Sequence, residues 1–390
     1  MISVAEALDR LFGLITPLST ETVALRKAHG RVLAQPALAQ RNQPPFATSA
    51  MDGYALRGDE AIPGAQFTVI GEAAAGTQFS GDVAPGQAVR IFTGAPVPQG
   101  ADRVIMQEDV TRDGDVITLG DKLGQDLFVR PMGADFMAGM EVTAPRRLSP
   151  SDIALLAAMN ISEVTVTRRP QVAIISTGDE LVMPGENPGE DQIIASNSFG
   201  LAAMLEAEGC TPRILPIAAD NYDALFQVFE LAKGADLIVT SGGASVGDHD
   251  LVAKALQKLG ATMDFHKVAM RPGKPLMAGL LNGSPMLGLP GNPVSAMVCG
   301  MVFLRPMARA LQGLPAAPAP RQKAELTLDL GENGPREHYM RAILQNGQVT
   351  PLARQDSSLL TVLAEANALL VRAPNSAPEN KGQIVNVIEI

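Results

Sequence analysis

Cysteine is scarce in this chain: Cys210 and Cys299 are the only two in 390 residues, and neither lies in a CxxC pair. That inventory gives no sign of a disulfide framework or a cysteine-ligated zinc site. It fits a reducing compartment, so a cytoplasmic protein is expected. The signatures HExxH and GxxxxGK[ST] are also missing, which argues against zinc-protease and P-loop chemistry. Excess positive charge is missing as well. At a net charge of -10 the chain has no global field to attract a phosphate backbone, so nucleic acid is not an expected partner and any anion site must be a local basic cluster. The N-terminal segment carries Glu6 and Asp9 and has no basic start followed by an apolar run, so it does not have the pattern of a signal peptide. The uncharged stretch from Pro275 to Leu304 is broken by Pro285, Pro290, Asn292 and Pro293. Such interruptions suit buried strands and a loop, not a membrane span, and no membrane association is expected.

What is present points to several cores. A chain of 390 residues exceeds one ordinary domain, and 46% apolar residues can fill more than one interior. Val4, Leu8, Leu11, Phe12 and Ile15 recur at helical spacing, predicting an amphipathic first helix. From Asn42 to Phe136, short apolar runs alternate with Gly- and Pro-bearing turns, the texture of an inserted β domain. Ser149 or Ser151 is placed to cap a helix that leads into a strand ending near Val166. From Val172 the rhythm becomes βαβ: strands at 172–176, 213–217, 236–240 and 286–289 alternate with helices at 196–208, 222–233, 250–259 and 293–311. The Pro- and Ala-rich stretch from Leu314 to Arg321 reads as a linker, followed by strands at 324–330, 341–344 and 349–352 with Asn346-Gly347 as a hairpin turn. The expected fold is multidomain α/β plus β: a central doubly wound α/β domain with a mostly parallel sheet, an inserted small β domain and a C-terminal β domain. The expected divisions are 1–43 with 137–170, 44–136, 171–314 and 315–390.

In a parallel sheet ligands gather at the carboxyl ends of strands. Three polar, Gly-rich loops belong there: Ser176-Thr177-Gly178-Asp179-Glu180, the run from Ser241-Gly242-Gly243 to Asp250, and Pro290-Gly291-Asn292-Pro293-Val294-Ser295. Glycine lets backbone N–H groups approach an anion, and a following helix N-terminus adds a favourable dipole. Simple turn chemistry explains most single loops of this kind; three at one sheet edge point to a site. Lys267, Arg271 and Lys274 concentrate positive charge just before Pro275 and suit a phosphate or another oxyanion, although a solvated basic turn would look the same. Glu180, Asp220 and Asp250 each follow a strand and are candidates to share one Mg²⁺. Taken singly, Asp220 reads as a helix N-cap and Asp250 as a solvated first-turn residue.

The run from Pro44 to Ala55, PPFATSAMDGYA, resembles the N-terminal signature of the molybdopterin molybdenumtransferases, the family that includes the gephyrin E domain. The similarity continues in order through Ile91-Phe92-Thr93-Gly94-Ala95-Pro96, Gly178-Asp179-Glu180, Ser241-Gly242-Gly243, Arg271-Pro272-Gly273-Lys274-Pro275 and Pro290 to Ser295, and so spans nearly the whole chain. It implies a four-part protein acting as an elongated homodimer, with the site between the α/β domain of one subunit and the N-terminal and inserted regions of the other. It implies a reaction that takes adenylylated molybdopterin and molybdate, releases AMP and leaves molybdenum on the pterin dithiolene, with Mg²⁺ as cofactor. The functional positions implied are Asp52, Thr93, Asp135, Glu180 and Asp250 for catalysis. For substrate and oxyanion they are Ser176, Gly178, Ser241, Gly242, Gly243, Lys267, Arg271, Lys274, Pro275, Ser295, Arg341 and Ser357, and for the metal Glu180, Asp220 and Asp250. Family members often carry Lys where this chain has Arg271, which changes the geometry of oxyanion contact. A transient contact with a molybdopterin adenylyltransferase is also expected. Two other readings stand beside this one. An adenylyltransferase would resemble the α/β domain alone and lack both the N-terminal signature and the C-terminal β domain. A gephyrin-like scaffold would need a peptide groove that no motif here marks.

Overall fold

The computed structural model describes residues 1–243 and 251–390. Its contacts group into two compact units, one of Met1–Glu21, Gly30–Ala34 and Val166–Ile390, the other of Thr22–His29 and Gln35–Thr165.

The first unit is built on one sheet: β1 (Gln171–Ser176), β2 (Thr211–Ile214), β3 (Leu237–Ser241), β4 (Thr262–Phe265), β5 (Met277–Leu281) and β6 (Ser284–Leu289). They lie in the order β2-β1-β3-β6-β5-β4. Strands β2, β1, β3 and β6 are parallel, while β5 runs antiparallel to both β6 and β4. Side chains of β1 alternate between two cores. Val172 and Ile174 face one that holds α1 (Val4–Gly13), α3 (Asn197–Ala207), α6 (Pro293–Cys299) and α7 (Arg305–Leu311). Ala173 and Ile175 face the other, with α4 (Tyr222–Leu231) and α5 (Leu251–Lys258). Burial on both faces is why these strands read as unbroken apolar runs. The expected doubly wound, mostly parallel domain is therefore present.

Helix Pro293–Leu311 is long and apolar enough to cross a bilayer by length and composition alone. Val294, Ala296, Val298, Cys299, Phe303 and Leu304 are instead buried in the α1-side core. Two antiparallel strands, β4 and β5, were not expected. β4 falls between the helix expected to end at 259 and the basic residues from Lys267 on, where nothing was assigned, and β5 lies in the uncharged run, where Gly279 at its centre weakens the strand signal. The strand expected at 213–217 ends at Ile214. The C-terminal strands are Gln322–Leu326, Glu337–Gln345 and Gln348–Pro351, with the hairpin at Asn346-Gly347. Two more, Ala368–Arg372 and Ile384–Glu389, were not foreseen. Ala368–Arg372 pairs with both Glu337–Gln345 and Ile384–Glu389, which closes the sheet on itself.

The second unit carries a six-stranded sheet in the order Arg103–Met106, Gly53–Leu56, Gln87–Ile91, Gln66–Ala73, Val116–Leu119, Val110–Asp113. In the same unit α2 (Pro150–Ala158) starts on a reciprocal cap: Ser149 Oγ accepts from the Asp152 N–H while the Asp152 carboxylate accepts from Ser149. Of the two serines proposed, Ser149 is the cap. The signature run from Ser49 to Ala55 has a structural reason as well. A Cβ on Gly53 would lie 2.0 Å from the Ile105 carbonyl oxygen of the neighbouring strand, so only glycine allows that approach.

Gly53→Ala is expected to destabilise the second unit by roughly 3 kcal/mol, the upper end of overpacking costs. Urea unfolding of the full chain checks this, and an unchanged midpoint would mean that the two strands separate without loss.

Candidate functional site

Strand register sets the site. Ser176 at the end of β1 lies opposite Ser241 at the end of β3, and Ser241 lies opposite Leu289 at the end of β6. The three Gly-rich loops therefore leave the sheet side by side. The chain passes from β1 through α3 to β2 on one flank, then through α4 across to β3 on the other, so β1 and β3 bracket a topological switch point, where open α/β sheets bind ligands. Backbone bonds hold the loops: Thr177 N donates to Ser241 O (3.2 Å), Gly178 N to Ala218 O (3.2 Å) and Gly242 N to Leu289 O (3.3 Å). Asn197, in the first turn of α3, donates from Nδ2 to Ser241 Oγ (2.9 Å) and to the Gly291 carbonyl (2.8 Å), tying the second loop to the third. Gly242 and Gly243 both have positive φ, and a Cβ on either would strike the Thr177 carbonyl at 2.5 Å or Val252 at 2.1 Å.

Two cavities open at this edge. One, of about 510 Å³, is lined among others by Gly178, Glu180, Asp220, Gly243, Pro275 and Ser295. The other, of about 350 Å³, has Ser176, Leu181, Ile194, Asn197, Ser241 and Asn292 in its wall. The first brings an acidic pair together with the end of the RPGKP loop. The sequence offered Asp220 as a helix cap, and this is corrected: Asn221 is the N-cap of α4, its side chain accepting from Ala224 N. Asp220 is left to face the cavity, and its pKa is raised by burial first and then by the neighbouring Asp179 and Glu180. Mutual repulsion of this kind is what a divalent cation relieves. Among the described residues no group of three metal-ligating side chains forms, and the third carboxylate proposed, Asp250, lies outside the described residues.

The cationic residues separate by depth. Arg341 is wholly buried; its Nη2 donates to the Asp356 carbonyl (3.0 Å), while Nε and Nη1 have no partner among the described residues. A guanidinium left partly unsatisfied inside a protein is strongly disfavoured unless an anion completes it. The next carbonyl, that of Ser357, accepts from Val294 N at the start of α6 (3.1 Å), beside the buried Ser295. Arg271 pairs in register with His338 on the adjacent strand. Lys274 and Arg271 are exposed and Lys267 is half-buried, and neither lysine enters an ion pair among the described residues. His338 was not singled out from sequence, because a lone histidine in a strand carries no motif. It is buried, its Nε2 is unpartnered, and its pKa is pushed down to about 4 by burial and then by Arg271, Arg341, Arg372 and Arg336.

In the second unit Asp52 and Thr93 meet: Asp52 Oδ1 accepts from Thr93 N (2.7 Å) and from Thr93 Oγ1 (2.8 Å). Those two bonds, the backbone one first, hold the Asp52 carboxyl below the usual range. Asp135 is exposed, its N–H donating to Gln43 O (2.9 Å), and no bond joins it to the Asp52–Thr93 pair.

Residues 2–160 match the family description "MoeA N-terminal region (domain I and II)", residues 173–310 "Probable molybdopterin binding domain", and residues 323–390 "MoeA C-terminal region (domain IV)". A molybdopterin molybdenumtransferase of Nostoc sp. is 36% identical over all of this chain and 94% of its own length. The chain belongs to the MoeA family of molybdopterin molybdenumtransferases. A Haemophilus influenzae member is 35% identical over 95% of this chain and 94% of its own. The crystal structure of the MoeA protein of Pyrococcus horikoshii OT3 superposes with a TM-score of 0.86 at 28% identity, covering both chains fully. That likeness extends the MoeA fold over the full 390 residues.

The depressed His338 value has a consequence for stability. An unfolded chain protonates this ring near its ordinary 6.5 while the folded chain keeps it neutral to about 4, so its contribution is full above 6.5 and is lost as pH falls toward 4. Thermal melting across that window should lose less stability in His338→Gln than in the wild type. An equal loss in both would show that other groups control acid unfolding.

Proposed function

We propose that this protein inserts molybdate into adenylylated molybdopterin with release of AMP, as a transferase of molybdenum cofactor biosynthesis. The observation that carries this reading is the cavity at the switch point, where Glu180 and Asp220 share a wall with Pro275 and Ser295. The carboxylates suit the phosphoanhydride that must be cleaved, and the RPGKP loop suits an oxyanion. Membership in the MoeA family supplies the substrate pair.

The roles follow from charge and position. Arg341 has two nitrogens to offer an oxyanion, and Arg271 and Lys274 add positive charge from the loop, with Ser295 and Ser357 as short polar neighbours. The glycines at 178, 242 and 243 let backbone come close to the phosphates. Molybdenum ends on the pterin's own sulfurs, so no cysteine ligand is required of the protein, consistent with Cys210 and Cys299 both being buried. The residues fit Mg²⁺ to the extent that Asp220 and Glu180 repel each other across the cavity; with Asp250 they would hold it, and it would offset the negative charge of the anhydride. In the homodimer expected of the family, Asp52, Thr93 and Asp135 of one subunit complete the α/β site of its partner. A cytoplasmic location and a passing contact with the adenylyltransferase that makes the substrate belong to the same proposal.

Two variants separate the halves of the site. Asp220→Asn should lower AMP release by about 10²-fold or more at fixed molybdate, in the range seen when a preorganised charged group is lost from a reacting centre. Lys274→Ala should instead raise the molybdate concentration needed for half-maximal turnover and leave the saturated rate close to that of the wild type. Wild-type AMP release by Asp220→Asn would remove the metal-site assignment, and an unchanged molybdate requirement would make Lys274 a surface cation.

A further inference from the structure

Among the described residues of the α/β domain, the buried hydroxyls of Thr177, Ser198 and Thr240 have no hydrogen-bond partner, and Thr177 is the one of the three that lines the two cavities at the switch point. Thr177 is 3% exposed and its Oγ1 makes no hydrogen bond, although buried hydroxyls are nearly always satisfied. Its backbone is fixed, with N donating to Ser241 O (3.2 Å) and the residue bridged to Ala218, so the side chain is held where it is. The two glycines of the adjoining loop pack directly against that hydroxyl. A Cβ on Gly242 would come to 3.0 Å from Thr177 Oγ1, and one on Gly243 to 3.1 Å. Thr177 also lines both cavities, the one with Asp220 and the one with Asn197 and Ile194, and so stands at their junction together with Glu180.

We infer that Thr177 Oγ1 donates to a phosphate oxygen of a ligand that bridges the two cavities, with the phosphate at the junction and an organic group on either side. This rests on the functional reading above, whose substrate carries its phosphates between a pterin and an adenosine. Two adjoining cavities that share one unpaired donor in their lining suit such a ligand, whereas a ligand with a terminal phosphate would leave one of them empty. Asn197 is the supporting contact: its bonds to Ser241 and Gly291 fix the second glycine loop to the third. Thr177 follows a strand as an ordinary polar residue, and nothing in its sequence neighbourhood marks it apart from Ser176.

Isothermal titration of the full-length protein with AMP, a fragment that retains the phosphate, tests the contact. Thr177→Val keeps the shape and removes the hydroxyl, so its AMP affinity should fall about tenfold, whereas Thr177→Ser should stay within about twofold of wild type. Thr177→Ala serves in place of the valine variant if the latter does not fold, and melting temperatures show which variants do. Wild-type affinity in Thr177→Val overturns the inference, and so does a serine variant as weak as the valine one, which would mean packing and not hydrogen bonding. In either of those cases the functional reading survives as long as the wild type binds AMP and releases it from adenylylated molybdopterin. A wild type that does neither overturns the functional reading and this contact with it.

Discussion

Register between three parallel strand ends governs everything at the switch point. With Ser176, Ser241 and Leu289 side by side, the loops that follow must share one small volume, and only glycine tolerates the resulting approaches at 242 and 243. A slip by one residue would exchange the two faces of β1, sending Val172 and Ile174 to the α4–α5 core and withdrawing the loops from one another. Burial of both faces forbids that slip, so hydrophobic packing far below the site fixes the geometry of the polar groups above it. The site is in this sense a by-product of a tightly specified core.

Charge is arranged on the same frame. In a protein with a net charge of -10, the basic residues that matter are placed by strands and by one short loop, and not by any general positive field. Arg341 is carried inward on Glu337–Gln345, where burial lowers its pKa and leaves two nitrogens without partners. Arg271 sits beside that strand, in register with His338. Burial first, and then the company of arginines, keeps this histidine neutral and pulls its pKa down. Opposite in sign, Asp220 is raised by burial and then by two acidic neighbours, Asp179 and Glu180. Groups whose titration is pushed in contrary directions by burial and by like charge are concentrated where chemistry is done.

Much of this was legible in the chain itself. The βαβ rhythm from Val172 onward followed from apolar runs separated by helical spacing, because both sheet faces are covered. The three loops could be read from glycine and serine directly after those runs. The family resemblance then pointed to residues such as Asp52, whose Asp52-Gly53 pair would otherwise pass for an ordinary turn; its bonds to Thr93 arise from residues 41 positions apart. What stayed hidden depended on long-range pairing. Strands β4 and β5 sit antiparallel at the sheet's far side, and Ala368–Arg372 closes a barrel through partners that no local pattern announces. Thr177 and His338 were hidden for a related reason: their distinction is the lack of a partner, a property of the fold and not of the residue. Asp220, proposed as a metal ligand, read as a cap when taken singly because the true cap, Asn221, is its neighbour.

The account as a whole stands on one coupled reaction. Purified protein incubated with adenylylated molybdopterin should release AMP only when molybdate is supplied, with one molybdenum retained on the pterin for each AMP freed. Formation of adenylylated product from molybdopterin and ATP, or AMP release that leaves no molybdenum on the pterin, would contradict it.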